Sequence, residues 1–449
     1  MSFITNIRSV AKYESKILVR SWFFRIFTLL AVVFLGFFNF AMMLMEDNFG
    51  LWFAKSVSSN IPYLNLLLLN TGQAVVAVFL SSEFLKRDKK LDTSEVFYVR
   101  PLSNAEYVVG KIWGNLRVFL FLNLLVLAIV LAFNFMASGV TVDLPAYLVY
   151  FFLISIPTLI FIIGLSIFLM LLLKNQALTF ILLLGYIGLT LFYIQDKFYY
   201  LFDYMVYNLP LFKSTIVGFS NLELILNHRA IYFFAGLGFI FFTIFLFKRL
   251  PNARRSHYPW LFLSFCMFLL MVTAGFRHVR SILREGEMRA LYTSINNKYV
   301  YEPKMAIDYY DISVEQKSET IRSVVGMEGT ALAASEVFIF CLNPGLRVEE
   351  VKDGEKSLNF KREEQILAVD FGREIEKGDT ISFSVSYEGR IKDDFCYLDI
   401  PEEVLQQPYD KEMLKLDKKY SFQTSDYVLF TPETYWYPRP GTPAPGGWG

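Results

Sequence analysis

The sequence lacks the short motifs that bind a nucleotide or a catalytic zinc ion. No G-x-x-x-x-G-K-[ST] phosphate-binding loop occurs in the 449 residues, because Gly110 and Lys111 are followed by Ile112 and Ala105 stands where the first glycine would be. None of the three histidines is followed by glutamate, so the zinc motif H-E-x-x-H is absent too. We therefore predict that the chain is not an enzyme and has no catalytic residue, metal site or cofactor of its own.

Cysteine is scarce as well, with three residues in the chain. Cys266 lies in an apolar run, whereas Cys341 and Cys396 lie in the more polar C-terminal part. These two could form a disulfide if that part is outside the cytoplasm. Small thiols in a strand-rich sequence are, however, more often ordinary core residues. Both interpretations stay open.

A strong net charge is also missing, since the formal net charge is +1. The charges are unevenly distributed along the chain. Residues 1–276 carry 21 Lys and Arg against 12 Asp and Glu, whereas residues 277–449 carry 22 Lys and Arg against 30 Asp and Glu. The basic residues of the first part cluster in short segments beside apolar runs. Membrane orientation explains such clusters better than nucleic-acid binding, so we predict no nucleic-acid partner.

Long apolar runs are abundant. Hydrophobic residues make up 54% of the chain, above the roughly 45–50% expected of soluble domains. A helix needs about 20 mostly apolar residues to cross a bilayer. Seven such runs predict seven spans, at residues 22–45, 61–80, 112–135, 146–173, 177–194, 231–247 and 260–276. We therefore predict an α-helical polytopic membrane domain over residues 22–276, preceded by an amphipathic cytoplasmic helix at residues 1–21.

Basic residues predict the orientation of these spans. With a cytoplasmic N-terminus, seventeen Lys and Arg residues fall on the cytoplasmic side, and only Lys55, Lys197, Lys213 and Arg229 fall on the other side before the last span. Cytoplasmic loops are enriched in Lys and Arg. The bias predicts a cytoplasmic N-terminus, and an odd number of spans then places residues 277–449 outside the cytoplasm.

After residue 276 the pattern changes from helical to alternating. The segment ISFSVSY at residues 381–387 alternates apolar residues with serine, as a half-buried strand does. Further strands are predicted at residues 306–314, 336–342 and 365–371, separated by segments with turn chemistry. We predict a stalk at residues 277–302, a small antiparallel β-sandwich at residues 303–400, and an irregular Pro/Gly-rich tail at residues 401–449.

Residues 91–111, LDTSEVFYVRPLSNAEYVVGK, form a polar insert between the second and third predicted spans. Two patterns in it are typical of helix starts, where side-chain oxygens satisfy free amide groups. They are Asp92 with Glu95 and Ser103 with Glu106. Pro101 pushes the residue before it out of the α region. The sequence predicts a short helix over residues 93–99, a break, and a second helix that begins near Asn104.

The short helix would expose Glu95, Phe97, Tyr98 and Arg100 on the cytoplasmic side. Aromatic and arginine side chains are enriched at protein interfaces, so this surface is a candidate docking site for another protein. The alternative is a connector whose aromatic rings rest on the bilayer surface, and composition alone does not separate the two.

The second predicted span carries three polar residues, Asn65, Asn70 and Gln73. At about 100° per residue they fall within about 140° of arc and share one helix face. Polar groups in hydrocarbon are expected to face the interior of a helix bundle. They are therefore candidates either for a translocation path or for interhelical hydrogen bonds that hold the bundle together.

The polar insert and its surroundings resemble the membrane subunits of type-2 ABC transporters, which are exporter-class permeases. The phrase E-x-x-x-x-x-P-[LV]-S-x-x-E-[YF]-x-x-[GA]-K follows the amphipathic segment NIRSVAKYESKILVRSWFFR and a first span. It is matched by Glu95, Pro101, Leu102, Ser103, Glu106, Tyr107, Gly110 and Lys111. The resemblance covers about residues 5–250.

This resemblance implies that the loop docks on a separate ATP-hydrolysing subunit, which binds the ATP and Mg²⁺. The implied coupling residues are Glu95, Phe97, Tyr98, Arg100, Ser103 and Glu106. It also implies a homodimer or a second permease half, and contacts of the N-terminal helix with membrane lipids. Such permeases usually have six spans, so the predicted seventh departs from the pattern. The transported substrate is not readable from the bundle.

A second resemblance covers about residues 303–441. The strand pattern from AIDYYDISVEQK to ISFSVSYEGR is similar to the N-terminal β-domain of aminopeptidase-N-like zinc peptidases, and LFTPETYWYPRPG is similar to the segment that leads into their catalytic domain. This implies an alternative function, a membrane-anchored, non-catalytic fragment of a permease-aminopeptidase fusion that binds or positions peptides outside the cytoplasm.

Overall fold

A computed structural model describes residues 3–44, 57–82, 102–136, 141–194, 197–207, 209, 211, 213–214, 218–219, 221–247, 258–398, 421–425 and 427–443. These residues form two compact units. The first ends at Arg280 and the second begins at Ser281.

The first unit is helical. Its helices are α1 (Phe3–Arg20), α2 (Trp22–Leu44), α3 (Asn60–Ser82), α4 (Asn104–Met136), α5 (Leu144–Tyr150), α6 (Ile156–Leu173), α7 (Gln176–Phe192), α8 (Leu222–Leu246) and the first part of α9 (Tyr258–Tyr299). A five-residue π-helical turn, Phe151–Ser155, joins α5 to α6. The strands β1 (Lys213–Ser214) and β2 (Gly218–Phe219) form a small antiparallel pair.

Within the described residues, six helices are long and apolar enough to cross a membrane. They are α2, α3, α4, the continuous α5–α6 segment, α8 and α9. The predicted fifth span, residues 177–194, corresponds to α7, which is apolar but has only 17 residues. This is shorter than the roughly 20 residues that a span needs, so the count of long helices is six rather than seven.

Tight capping separates α6 from α7. Lys174 adopts the left-handed conformation, with φ of 55°, and ends α6. The side chain of Asn175 then accepts hydrogen bonds from the backbone N–H groups of Ala177 and Leu178. Asn is a preferred N-cap residue because it satisfies these free amides. The two helices are therefore joined by a two-residue turn.

Helix α3 lies inside the helical unit. It packs against α2, α4, α5, α6 and α7, and most of its side chains are buried. Helices α6 and α8 approach closely where a Cβ atom on Gly164 would lie 2.7 Å from the carbonyl oxygen of Gly236. Small residues at such crossings allow backbones in a membrane to come into contact.

Residues 197–207, which are rich in aromatic side chains, lie between α7 and α8 in the chain. We call them the aromatic turn. Tyr199 and Tyr200 both have positive φ, 59° and 62°, a conformation that costs free energy in residues other than glycine. The Nε2 atoms of His278 and His228 lie 2.8 and 2.9 Å from the carbonyl oxygens of Tyr199 and Tyr200. Because a carbonyl only accepts, each Nε2 donates, and the two histidines hold the turn in this conformation.

The second unit contains two larger antiparallel sheets. One has the order β3-β4-β10-β6-β7 and the other β13-β5-β9-β8. The strands are β3 (Met305–Lys317), β4 (Thr320–Ala331), β5 (Ser335–Cys341), β6 (Leu346–Asp353), β7 (Lys356–Ser357), β8 (Asn359–Glu363), β9 (Ile366–Ile375), β10 (Thr380–Gly389) and β13 (Arg439–Pro440). The four strands predicted from the sequence overlap β3, β5, β9 and β10, and those at β5 and β9 each extend one residue beyond the observed strand.

The apolar faces of the two sheets share one core. The ring of Phe383 on β10 lies 5.3 Å from that of Phe340 on β5 and 5.4 Å from that of Phe371 on β9. Along β10, Ile381, Phe383, Val385 and Tyr387 are buried while the serines between them are not. The alternation predicted from the sequence is confirmed.

Most of the segment predicted as a stalk, residues 277–302, is the end of α9, a single helix of 42 residues that ends at Tyr299. Its last part belongs to the second unit, where Tyr292 packs against Cys341 and Phe395. The Nε2 atom of Gln365 donates to the carbonyl oxygen of Tyr292, at 2.8 Å. This part of α9 therefore packs against the four-stranded sheet.

The tail predicted to be irregular contains short strands in its described part. They are β11 (Ser421–Gln423), β12 (Val428–Phe430) and β13. The Nδ2 atom of Asn343 donates to the carbonyl oxygen of Thr434 at 2.9 Å, and β13 pairs with β5. Proline is tolerated in an edge strand because it needs no N–H on its open side. A Pro-rich composition therefore did not exclude strand pairing.

Cys341 and Cys396 are both buried and free. Burial raises the pKa of both thiols above the usual value. In this structure they act as small apolar core residues, the second of the two interpretations left open by the sequence.

Candidate functional site

The start of α4 is the point at which the polar insert enters the helical unit. Of the predicted coupling residues, Ser103 and Glu106 lie here, whereas Glu95, Phe97, Tyr98 and Arg100 fall outside the described residues. The predicted helix over residues 93–99 falls outside them too. Helix α4 begins at Asn104, as the sequence predicts.

Ser103 and Glu106 form the predicted capping pair. The backbone N–H of Glu106 donates to the hydroxyl oxygen of Ser103 at 3.1 Å, and the backbone N–H of Ser103 donates to Oε2 of Glu106 at 2.6 Å. The reciprocal bonds satisfy amide groups that a helix start leaves free. The capping prediction is confirmed, and the role of the pair in coupling stays a prediction.

Helix α1 lies against this start. The Nδ2 atom of Asn6 donates to Oε1 of Glu106 at 2.8 Å, so both oxygens of this carboxylate are bonded. Further along α4, a Cβ atom on Gly110 would lie 2.7 Å from Cβ of Val10, and one on Gly114 would lie 2.9 Å from the carbonyl oxygen of Ala11. Glycines four residues apart thus form a groove for α1.

Polar contacts along the same groove fix α1 in register. The Nη2 atom of Arg117 donates to the carbonyl oxygen of Ala11 at 2.8 Å. The Nζ atom of Lys111 lies 3.8 Å from Oε2 of Glu14, and both side chains are 4% exposed. The sequence prediction places Lys111 and Arg117 among the seventeen basic residues of the cytoplasmic side, and in the structure both lie within α4 and face α1. Sequence spacing gave no signal for this pairing, because the two helices are far apart in the chain.

The end of α8 also contacts the start of α4. The Nδ2 atom of Asn104 donates to the carbonyl oxygen of Phe247 at 2.5 Å. The ring of Tyr107 stacks on that of Phe247, with centroids 5.5 Å apart and planes 7° from parallel. We call the contacts of α1, the start of α4 and the end of α8 the α4 junction. These contacts join the three helices at the start of α4.

A buried amide cluster lies deeper in the helical unit. Asn70 and Gln73 of α3 contact Asn123 of α4 and Ser155 of the π-helical turn, and all four are fully buried. The hydroxyl of Ser155 donates to Oδ1 of Asn123 at 2.8 Å, and Nδ2 of Asn123 donates to Oε1 of Gln73 at 2.9 Å. Nδ2 of Asn70 donates to both Asn123 Oδ1 and Ser155 Oγ at 3.2 Å.

Asn65 does not belong to this cluster. It exchanges hydrogen bonds with Asn39 of α2, at 2.7 and 3.1 Å. The predicted polar face of α3 is therefore divided between two sets of partners. Asn65, Asn70 and Gln73 all bond to neighbouring helices of the same chain, which favours packing, and a role in translocation stays a prediction.

Arg229 is a residue whose place the sequence did not reveal. It was counted among the outer-side charges, but it lies within α8 and is 3% exposed. Its position near the edge of an apolar run made it resemble a loop residue.

Among the residues that the structure describes, no group of three or more His, Cys, Asp and Glu could hold a metal ion.

These observations define a chain with several helices of membrane-spanning length and composition, followed by an antiparallel β unit. No protein-family model matches the sequence, and no curated protein matches it either.

Solved structures of M1 zinc metallopeptidases match a part of the chain. One, from Deinococcus radiodurans, has 16% identity and a TM-score of 0.20, with 22% of each chain covered. A two-domain M1 zinc metallopeptidase mutant bound to L-tryptophan has 16% identity and a TM-score of 0.19, covering 20% of this chain and 21% of that one. The chain spans about a fifth of the length of these structures, and TM-scores of this size do not establish a shared fold.

Proposed function

We propose that this chain is the membrane subunit of an ABC exporter, driven by a separate ATP-hydrolysing subunit that docks on the first cytoplasmic loop. The docking segment in this loop is the helix predicted at residues 93–99. The observation that carries the proposal is the α4 junction. The docking segment leads directly into it, and Glu106 is bonded both within the capping pair and to Asn6 of α1. A displacement at this point would move α1, α4 and α8 together.

The proposed cycle needs no nucleotide chemistry in this chain. ATP and Mg²⁺ are bound by the partner, whose closure on nucleotide displaces the docking segment. A ligand shifts a conformational equilibrium only through its different affinity for the two states, and here the docked partner supplies that difference. The helices then shift between inward-open and outward-open arrangements.

The proposal includes an orientation and a location. The N-terminus and the α4 junction face the cytoplasm, and the 17-residue α7 is counted as a short seventh span beside the six long helices. With seven spans, the β unit, as a sandwich, lies outside a bacterial cytoplasmic membrane. The bias of basic residues supports this orientation. Exporters of this class need two permease halves, so a second copy or a second half is a further partner. The exposed apolar side chains of α2, including Leu29 and Phe37, suit lipid or such a partner.

Replacing the two aromatic residues of the docking segment tests the proposal. In reconstituted vesicles with the partner, Phe97→Ala with Tyr98→Ala is expected to abolish stimulation of ATP hydrolysis and leave membrane insertion intact, because aromatic anchors carry much of an interface's binding free energy. The matched control is Phe3→Ala with Tyr13→Ala, two exposed aromatic residues of α1. Unchanged stimulation in the first variant would contradict the proposal.

A second substitution tests the route of the movement. Tyr107→Ala removes the stacking on Phe247 and is expected to leave the partner bound while it lowers the ratio of substrate transported to ATP hydrolysed. Co-purification measures the first quantity and vesicle uptake the second. A normal ratio would mean that the movement does not pass through α8.

A second candidate function is peptide binding by the β unit, without transport. The separate core of that unit and the packing of Tyr292 and neighbouring α9 residues against it favour an autonomous role. Peptide binding by the purified full chain, together with repeated absence of a co-purifying ATPase, would favour this candidate over the exporter.

A further inference from the structure

The π-helical turn Phe151–Ser155 interrupts a long apolar helix at the edge of the amide cluster. Pro157 follows two residues later. Proline has no backbone N–H, so the carbonyl of Leu153 has no donor four residues ahead, where an α-helix would supply one. Single π turns inside α-helices occur frequently at functional positions.

Arg229 supplies the missing donor from the neighbouring helix α8. Its Nε atom donates to the carbonyl oxygen of Leu153 at 2.7 Å. Its Nη2 atom donates to the hydroxyl oxygen of Thr158 at 2.9 Å and lies 3.5 Å from the carbonyl oxygen of Ile154. The guanidinium thus binds the turn on both sides of Pro157, and its planar array of donors suits several acceptors at once.

The same guanidinium also holds the aromatic turn that precedes α8. Its Nη1 atom donates to the carbonyl oxygen of Tyr204 at 3.0 Å, and the hydroxyl of Thr158 donates to that oxygen at 3.2 Å. A buried arginine inside a membrane helix is costly and is a functional-site candidate by default. Here it links α8, the π-helical turn and residue 204.

The opposite side of the turn is held by the amide cluster. Ser155, its last residue, donates to Asn123 of α4 and accepts from Asn70 of α3. The turn is therefore fixed from two directions, by Arg229 and by the amides. Neither set of bonds is part of the regular helix ladder, so both can break without unfolding α5 or α6.

We propose that the π-helical turn is a hinge between α5 and α6, and that Arg229 is the positioning residue that holds this hinge in the conformation described here. When the bonds from Arg229 to Leu153 and Thr158 break, α5 can swing relative to α6. Because Tyr204 shares the same guanidinium, the aromatic turn changes with it. This inference goes beyond docking of an ATPase, and its test needs no partner protein.

The distance between spin labels on either side of the hinge tests the inference. Labelled cysteines at positions 148 and 172 are suitable, because Leu148 and Leu172 are 57% and 59% exposed and lie about 36 Å apart along a straight helix, at about 1.5 Å per residue. The background carries Cys266→Ser and retains the two buried cysteines. In the full chain in lipid nanodiscs, we expect one narrow distance distribution, and a broader or two-peaked one after Arg229→Gln.

A proline substitution makes the test specific. Pro157→Ala restores an N–H that can donate to the Leu153 carbonyl, so the variant that combines Pro157→Ala with Arg229→Gln is expected to return to a single narrow distribution. If Arg229→Gln does not fold, Arg229→Lys is used in its place. Lysine keeps the positive charge but lacks the planar array of donors, so a broader distance distribution is again expected.

The control variant is Arg117→Gln, which removes another arginine that donates to a backbone carbonyl, that of Ala11, away from the hinge. Its distribution should match that of the parent protein. Arg229 variants with the parent distribution, a combined variant that stays broad, or equal broadening in Arg117→Gln would each overturn the proposal.

Discussion

Replacing Asn123 by leucine is expected to destabilise the helical unit more than any other single change in its amide residues. Asn123 makes interhelical hydrogen bonds with Gln73, Ser155 and Asn70, at 2.9, 2.8 and 3.2 Å. Such bonds in membrane bundles are worth roughly 0.6 kcal/mol each, so the loss of three costs about 2 kcal/mol. The partners left unsatisfied in a buried site raise this cost further, by roughly 1–3 kcal/mol per group.

Asn65→Leu is the matched comparison. Asn65→Leu removes the exchange with Asn39, which predicts a cost of about 1 kcal/mol for two bonds. It leaves one buried partner, Asn39, unsatisfied, whereas Asn123→Leu leaves three. Reversible unfolding of the purified chain in mixed micelles gives both free energies. A cost for Asn123→Leu equal to or below that of Asn65→Leu would refute the reasoning, because it would mean that the cluster is not held together by these bonds.

Removing the whole cluster separates packing from translocation. Replacing both partners of a buried hydrogen bond by apolar groups can be nearly neutral, so the fully apolar variant should regain most of the stability that Asn123→Leu loses. The variant combines Asn70→Leu, Gln73→Leu, Asn123→Leu and Ser155→Ala. If the residues only pack, transport is retained, and if they line a path, stability returns without transport.

Two further substitutions test the contacts of each unit. Gly114→Leu is expected to displace α1, because even a Cβ atom would lie 2.9 Å from the Ala11 backbone oxygen, and overpacking costs roughly 1–3 kcal/mol; faster proteolysis of residues 3–20 would report it. Lys298 and Tyr299 donate hydrogen bonds to Glu363 and hold its pKa below the usual value. The stabilisation from these hydrogen bonds is present above the ordinary glutamate pKa and is lost as the pH falls through the lowered pKa of Glu363. The thermal unfolding temperature of Glu363→Gln should therefore not show this loss at acid pH.

Local patterns predicted much of the helical unit. Apolar run length located the long helices, and the Ser103–Glu106 spacing located the start of α4, because both depend on residues close in sequence. The partners of the polar residues were not predictable. The angular positions of Asn65 and Asn70 around the helix axis indicate that the two residues share a face. They do not indicate that Asn65 contacts α2 and that Asn70 contacts α4.

Charge counting did not reveal which charged residues are buried or what they contact. Arg229 satisfies carbonyls freed by a proline in another helix, and Lys111 pairs with a glutamate of α1. Such contacts have no local signature. In the β unit, β4 was missed because Ser323 points inwards while Val324 is exposed. Because a polar residue is buried next to an exposed apolar one, the sequence of β4 lacks the regular alternation of apolar and polar residues on which strand prediction depends.

Photo-crosslinking from position 97 tests the central proposal most directly. A photoreactive amino acid in place of Phe97, in the full chain in native membranes, is expected to capture a protein that hydrolyses ATP, and the yield should change when a non-hydrolysable ATP analogue is added. The same group in place of exposed Leu148 should not capture it. Capture of no ATP-hydrolysing protein from position 97, or equal capture from position 148, would contradict the account.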